Sequence, residues 1–327
     1  MNEFSHHIDK HAGCGWDYVH LQCVDGDTGK ERAAVELAPE GGANLFGFSV
    51  DGTDYIVDFT QEAGQELLGS PVLYPTPNRV RNATFEFEGD VFTFAANDGT
   101  NFLHGLVKDS PWVYDEPVVA DDGICVTTRI AFEPGTEIFR RFPIRNTLEI
   151  KLTLRPDSIR YDFTVTNSDE KRRLPHGLAI HPYFPIIGPR ESIRIQVPAT
   201  QWMEAENLLP TGRLLDLQDG PADMREPTPL SELDLDDVFW GMESRKPATI
   251  FYDSIGKKVT LTASEFFTHA VVYCPPDKSF FCLENQTCST DAHNLYNRGL
   301  TNEAHLSILN PGTVLTEWIE IKVVDIR

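Results

Sequence analysis

The stretch Val35-Glu-Leu-Ala-Pro-Glu-Gly-Gly-Ala-Asn-Leu-Phe-Gly-Phe-Ser-Val-Asp-Gly-Thr-Asp-Tyr-Ile-Val57 decides the fold class. It reads as a strand, a Gly-Gly turn, a second strand, an Asp51-Gly52 turn and a third strand. Asp-Gly between alternating runs is a strong hairpin signal, because the tightest hairpin turns need positive φ at their central positions.

The same pattern continues outward. Thr84–Phe94 sets Phe85 and Phe87 on one face and places a turn at Gly89-Asp90, while Leu148–Leu154 and Ile159–Thr166 pair around Pro156-Asp157. Further strands are predicted at Ser192–Val197, Ala248–Tyr252, Lys258–Thr262, Ala270–Tyr273 and Val314–Val324. Only Thr60–Leu68 and Ser289–Arg298 read as helical. Short strands with turn signals every 8 to 12 residues or so predict an all-β sandwich or barrel. The chain has no Ser/Gly linker, internal repeat or low-complexity tract, so residues 1–327 read as a single domain.

Composition narrows the partners. The 327 residues are 41% hydrophobic and 24% charged, which suits a globular chain with a large core. A net charge of −22 repels phosphate backbones and anionic lipid surfaces, so neither nucleic acid nor membrane is expected as a partner, and a neutral small molecule fits better. The six cysteines have neither CxxC nor paired metal spacing, and read as reduced thiols of a cytoplasmic protein. The stretch Met1–Trp16 lacks the apolar core of a signal peptide.

A second stretch, His176-Gly-Leu-Ala-Ile-His-Pro-Tyr-Phe184, carries the first candidate chemistry. Its apolar run is too short for a helix and is bracketed by Pro175 and Pro182, so it reads as a strand. Strand side chains alternate between faces. His176 and His181 lie an odd number of positions apart and so face opposite ways, which argues against a shared metal site. His181, followed by Tyr183 and Phe184, is the cleft candidate; His176 packs elsewhere.

Three more segments put a polar, chemically capable residue where the surroundings read as core. They are Pro77-Asn78-Arg79-Val80, Asn101-Phe-Leu-His104-Gly105 with Trp112 beyond it, and Phe280-Phe-Cys-Leu-Glu284-Asn-Gln286. Any one alone is adequately explained as a strand-end polar group bonded to backbone. Glu284 follows four apolar residues, and burial raises a carboxyl pKa unless a partner offsets the cost. Two histidines, an arginine and a glutamate at apolar-to-turn junctions together suggest an acid/base site.

Taken in order, these segments resemble the aldose 1-epimerase (galactose mutarotase) family. The resemblance rests on Asn78-Arg79, Leu103-His104-Gly105 with Trp112, His181-Pro-Tyr-Phe184, Leu209-Pro-Thr-Gly212, Asp236-Asp237-Val-Phe239 and Leu283-Glu284. It spans roughly residues 35 to 325 and leaves 1–30 as a peripheral N-terminal segment. Pro185-Ile186 departs from it, since many relatives carry Asn-Leu there.

The resemblance implies a large β-supersandwich whose open cleft binds a sugar. It implies interconversion of the α and β anomers of an aldohexose by ring opening and closure, without cofactor or metal. By analogy Glu284 is the base and His181 the acid, with His104 near the ring oxygen. Arg79, Asp236, Asn78 and Tyr183 contact the sugar. Asp236 is preferred over Asp237 for its spacing to Phe239, and Trp202 is either a stacking platform or a packed rim residue. Arg79 and Arg81 share a face if that segment is extended, and with Arg140, Arg141 and Arg145 they raise a hexose 6-phosphate as the alternative substrate. The other readings are a non-catalytic carbohydrate-binding protein of the same fold and a lyase or hydrolase using Asp236 with Glu284. Either a monomer or a homodimer is compatible.

Overall fold

The structure, a computed structural model, describes residues 2–11, 15–58, 68–244 and 246–326. Three antiparallel sheets carry most of the chain. The first takes five strands in chain order: Asn2–Lys10, Asp17–Asp25, Glu31–Ala38, Asn44–Val50 and Thr53–Asp54. A ten-stranded sheet is centred on Gly123–Phe132, Asn146–Arg155, Ser158–Asn167, Val314–Asp325, Lys257–Ala263 and Ala248–Tyr252, in that spatial order. An eight-stranded sheet sets Leu209–Asp216, Gln201–Glu206, Asp236–Trp240, His269–Tyr273 and Phe280–Gln286 side by side. This is the all-β supersandwich expected from the sequence.

Alternation explains why these segments pair. Leu148, Ile150, Leu152 and Leu154 point inward with at most 3% exposure, while Glu149 and Lys151 between them face out. Leu152 sits opposite Tyr161, and Ile150 opposite Phe163, so each ladder rung adds an apolar pair to the core. Fully burying one such side chain stabilises by about 1.5–3 kcal/mol before chain entropy is counted. One continuous apolar cluster takes Val35, Leu152, Phe163, Phe239, Ile250 and Leu283 from all three sheets.

Several local expectations need adjusting. The hairpin turn after Phe87 lies at Glu88-Gly89, both at positive φ, rather than at Gly89-Asp90, because Phe87 pairs with Asp90. Within the segment 1–30, the strand Asp17–Asp25 is not peripheral. Val19, Leu21 and Cys23 of the second strand are fully buried, because Asp17–Asp25 pairs along Glu31–Ala38 and shares its core face. His176–Phe184 is broken into three short strands, Leu174–His176, Ala179–Ile180 and Tyr183–Pro185. The first pairs with Ser307–Leu309 and the other two join the eight-stranded sheet.

The helix read at Ser289–Arg298 forms over Ala292–Asn297, whereas residues 60–67 of the other predicted helix lie outside the described residues. Cys23, Cys274, Cys282 and Cys288 are buried free thiols and Cys125 is half-buried; Cys14 lies outside the described residues. Among the described residues no helix is long and apolar enough to cross a membrane.

Candidate active site

The eight-stranded sheet turns one face to the core and the other to an open cleft. Register fixes which residues share the cleft face: Asp236 pairs with Tyr273, Tyr273 with Cys282, and Cys282 with Tyr183, while Val271 pairs with Glu284. Phe239, Val272, Leu283 and Phe281 lie on the alternate positions and fill the core. Glu284 thus sits within the strand on the cleft face, preceded in sequence by Phe281, Cys282 and Leu283.

His181 is delivered by the break between Ala179–Ile180 and Tyr183–Pro185. Its N–H donates to the Pro71 carbonyl at 3.0 Å and that of Tyr183 donates to Gly69 at 2.9 Å, so both ends of the break are held. The Tyr183 ring stacks on His181, with centroids 4.7 Å apart and planes at 18°. His176 points away from the cleft, fully buried, with Nε2 3.3 Å from Ser307 Oγ.

Asn78, Arg79 and His104 come from a two-rung ladder in which Arg79 pairs with Leu103 and Val80 with Phe102. Asn78 and His104 flank the ladder at φ +57° and +69°, a conformation uncommon for residues with a Cβ and found preferentially at functional positions. Gly105 explains the Leu-His-Gly motif. Its φ is +69°, and a Cβ there would stand 2.4 Å from the Tyr74 carbonyl oxygen.

The cleft, open to solvent, spans about 550 Å³ and is lined by all seven candidates: Asn78, Arg79, His104, His181, Tyr183, Asp236 and Glu284. His181 Nε2 lies 3.2 Å from Glu284 Oε1, and the two side chains are only 6% and 3% exposed. The His104 ring stands edge-on to His181, centroids 5.0 Å apart. Arg79 donates from Nε to Asp98 Oδ2 at 2.8 Å, while its Nη2 lies 3.6 Å from Asp236 Oδ2.

Electrostatics follow from this burial. Loss of water pushes the Glu284 carboxyl well above its ordinary value; Asp236 adds to the effect and Arg79 opposes it. Burial lowers His181 to about 4 and holds His104 well below its usual value, with His181, Lys108 and Arg79 adding to the latter. Burial therefore favours the neutral form of both the Glu284 carboxyl and the His181 imidazole. Asp236 is raised by burial, with Arg79 pulling the other way.

The open choices settle by position. Asp236 lines the cleft, whereas Asp237 points to the opposite face, where it accepts from Trp202 Nε1 at 2.9 Å. Trp202 is thus a packed residue on the core side, opposite Phe239. Trp112 is buried, donating to the Val107 carbonyl. Leu209-Pro-Thr-Gly212 lies inside the strand Leu209–Asp216, and the hairpin turn precedes it at Asn207-Leu208. Arg81 does not share the face of Arg79. The chain leaves the extended conformation there, with Asn82 at φ +53°, and Arg81 pairs with buried Asp291. Arg140 pairs with Glu137, Arg145 with Glu133, and Arg141 lies over the Phe102 ring.

Sequence reasoning missed Tyr273, Val271 and Asp98. The first two were recoverable from strand parity with Asp236 and Glu284; Asp98 reaches Arg79 only through the tertiary placement of its loop.

The profile of the aldose 1-epimerase family matches residues 30–322. Protein LacX (chromosomal) of Lactococcus lactis subsp. lactis is 25% identical over 157 residues, 46% of this chain and 49% of that one, so the chain spans about half the length of the curated relatives it matches. A galactose mutarotase-like protein from Clostridium acetobutylicum superposes with a TM-score of 0.84 at 16% identity, over 99% of this chain and 98% of that one. Galactose 1-epimerase from Lactobacillus acidophilus NCFM gives 0.76 at 16% identity, over 99% of each chain. These structures share the fold, and the profile match over most of the sequence shows that the chain belongs to the aldose 1-epimerase family.

Proposed function

We propose that the protein is a mutarotase that interconverts the α and β anomers of a neutral aldohexose such as galactose or glucose, with Glu284 as base and His181 as acid. The observation that carries this reading is the 3.2 Å separation of His181 Nε2 and Glu284 Oε1 in a buried pair. The two oxygens that exchange protons in the reaction, the ring oxygen and the anomeric hydroxyl, are bonded to the same carbon. An acid and a base that serve them must therefore stand side by side, as these two do.

The pair needs one proton between them. Burial, which raises the Glu284 carboxyl and lowers the His181 imidazole, favours Glu284 as its holder. Transfer to His181 yields carboxylate and imidazolium, with no proton drawn from solvent. Glu284 then removes the hydrogen of the anomeric hydroxyl while His181 protonates the ring oxygen, and the C1–O5 bond breaks to give the aldehyde. The proton is back on Glu284 and His181 is neutral. Rotation about C1–C2 and the reverse transfers close the other anomer. Each transfer group contributes about 10² to 10⁴ in rate.

Arg79 and Asp236 offer a planar donor and a carboxylate acceptor to hydroxyls on the ring. Tyr183 braces the His181 ring, and His104 lies beside it near the ring oxygen. The other arginines support a neutral sugar over a hexose 6-phosphate, because Arg81, Arg140 and Arg145 have carboxylate partners outside the cleft. The test is polarimetric. Freshly dissolved α-galactose or α-glucose should relax to its equilibrium rotation much faster with protein than without, and glucose 6-phosphate should be the poorer substrate. Saturable sugar binding with no acceleration would instead mark a carbohydrate-binding protein.

A further inference from the structure

Arg79 is gripped by hydrogen bonds on two edges and makes only a long ion pair on the third. Its Nε donates to Asp98 Oδ2 at 2.8 Å and its Nη1 to Asn78 Oδ1 at 3.3 Å. Its Nη2 stops 3.6 Å from Asp236 Oδ2, too far for a hydrogen bond. A guanidinium beside two carboxylates has an obvious competing arrangement, a two-pronged pair with one of them. Asp236, raised by burial, would gain much from that pairing. We propose that Asp98 is a positioning residue that holds the Arg79 guanidinium off Asp236, so that both groups remain available to sugar hydroxyls.

The loop is built to deliver this carboxylate. Asn97 accepts from Leu103 N at 2.7 Å and donates to Leu103 O at 3.2 Å. Asp98 and Asn101 exchange backbone hydrogen bonds around Gly99, which sits at φ +59°. Asn101 Oδ1 accepts from Asn82 N at 3.1 Å. The loop is thereby fastened to the strand that leads into His104 and to the turn that follows the strand carrying Arg79. Asp98 is not among the cleft-lining residues, so it acts through Arg79.

The inference rests on the epimerase reading, and its test separates the two. In steady-state anomerisation of galactose, Asp98→Ala should raise KM about tenfold, the loss of one charge-assisted hydrogen bond, with kcat changed by less than about threefold. Asp98→Asn, whose amide oxygen still accepts from Nε, should restore KM to within about threefold of wild type. In an Asp236→Asn background, which removes the competing carboxylate, Asp98→Ala should add little further to KM. An unchanged KM in Asp98→Ala, a loss confined to kcat, or full additivity with Asp236→Asn overturns the proposal. If Asp98→Ala does not fold, the Asp98→Asn comparison in the two backgrounds decides: a KM as high as that of Asp236→Asn contradicts it. An inactive wild type would defeat the epimerase reading alone, since the same comparison can be made as a Kd for galactose by calorimetry.

Discussion

His181 Nε2 and Glu284 Oε1 are 3.2 Å apart in a site from which burial has removed the water that would keep both charged. The two groups titrate as one unit that holds a single proton over a wide range. His181 takes up an extra proton only near its depressed value of about 4. Below that the pair holds two protons and has no base; well above the ordinary carboxylate range it loses its last proton and has no acid. The kcat/KM profile is therefore predicted to stay level from neutrality to about pH 5, where an ordinary imidazole would already have titrated. Initial rates across this range check it, and an acid limb centred near 6.5 would contradict it.

Stability should respond to acid more strongly than activity does. His176 and His269 are held at about 3, and His181 and His293 at about 4, all by burial. In the unfolded chain each titrates near 6.5, so the unfolded state binds more protons between those values. Stability is thus fully present above about pH 6.5 and is lost as pH falls toward 4, by on the order of 3 kcal/mol for each group depressed by two or more pH units. Glu284, Asp236, Asp237, Asp54 and Asp291, shifted upward by burial, contribute in the opposite sense, but their ordinary values lie about two pH units below that of histidine. The urea midpoint should be clearly lower at pH 5 than at pH 7.5; equal midpoints would count against the burial of these rings.

Gly105→Ala should damage the site without touching a reacting group. The new Cβ meets the Tyr74 carbonyl at 2.4 Å on a backbone at φ +69°, a conformation that costs about 1–3 kcal/mol for other residues. Relief of that clash moves His104, its immediate neighbour. Melting temperature and kcat should both fall, and a variant with wild-type values for both would show that the turn does not position His104.

The sequence made the hairpins legible because alternation and Asp-Gly turns act locally. Asp51 and Gly52 take the positive φ that a tight turn requires, and Leu148–Leu154 bury every second side chain. Asn78, Arg79, His104, His181 and Glu284 stood out as polar residues in or beside apolar stretches, whereas Asp236 and Tyr183 were indicated only by the family resemblance. Relationships set by tertiary contacts were not legible. Arg81 left the face of Arg79 because Asn82 adopts a left-handed conformation and Asp291 captures the side chain. Trp202 went to the core because Gln201–Glu206 pairs with Asp236–Trp240, which turns the indole toward Asp237. The strand read between Pro175 and Pro182 forms over Ala179–Ile180; before it, at Gly177, where a Cβ would stand 2.2 Å from Cys288 Sγ and 2.7 Å from Pro77, the chain passes from one sheet to another.

The most direct test of the account is the anomer exchange rate of galactose, followed by polarimetry and by NMR exchange, for wild type, Glu284→Gln and His181→Asn at matched folded concentration. The account predicts that each variant loses about 10² to 10⁴ in kcat while KM stays within a few-fold. Either variant turning over as fast as wild type would contradict it.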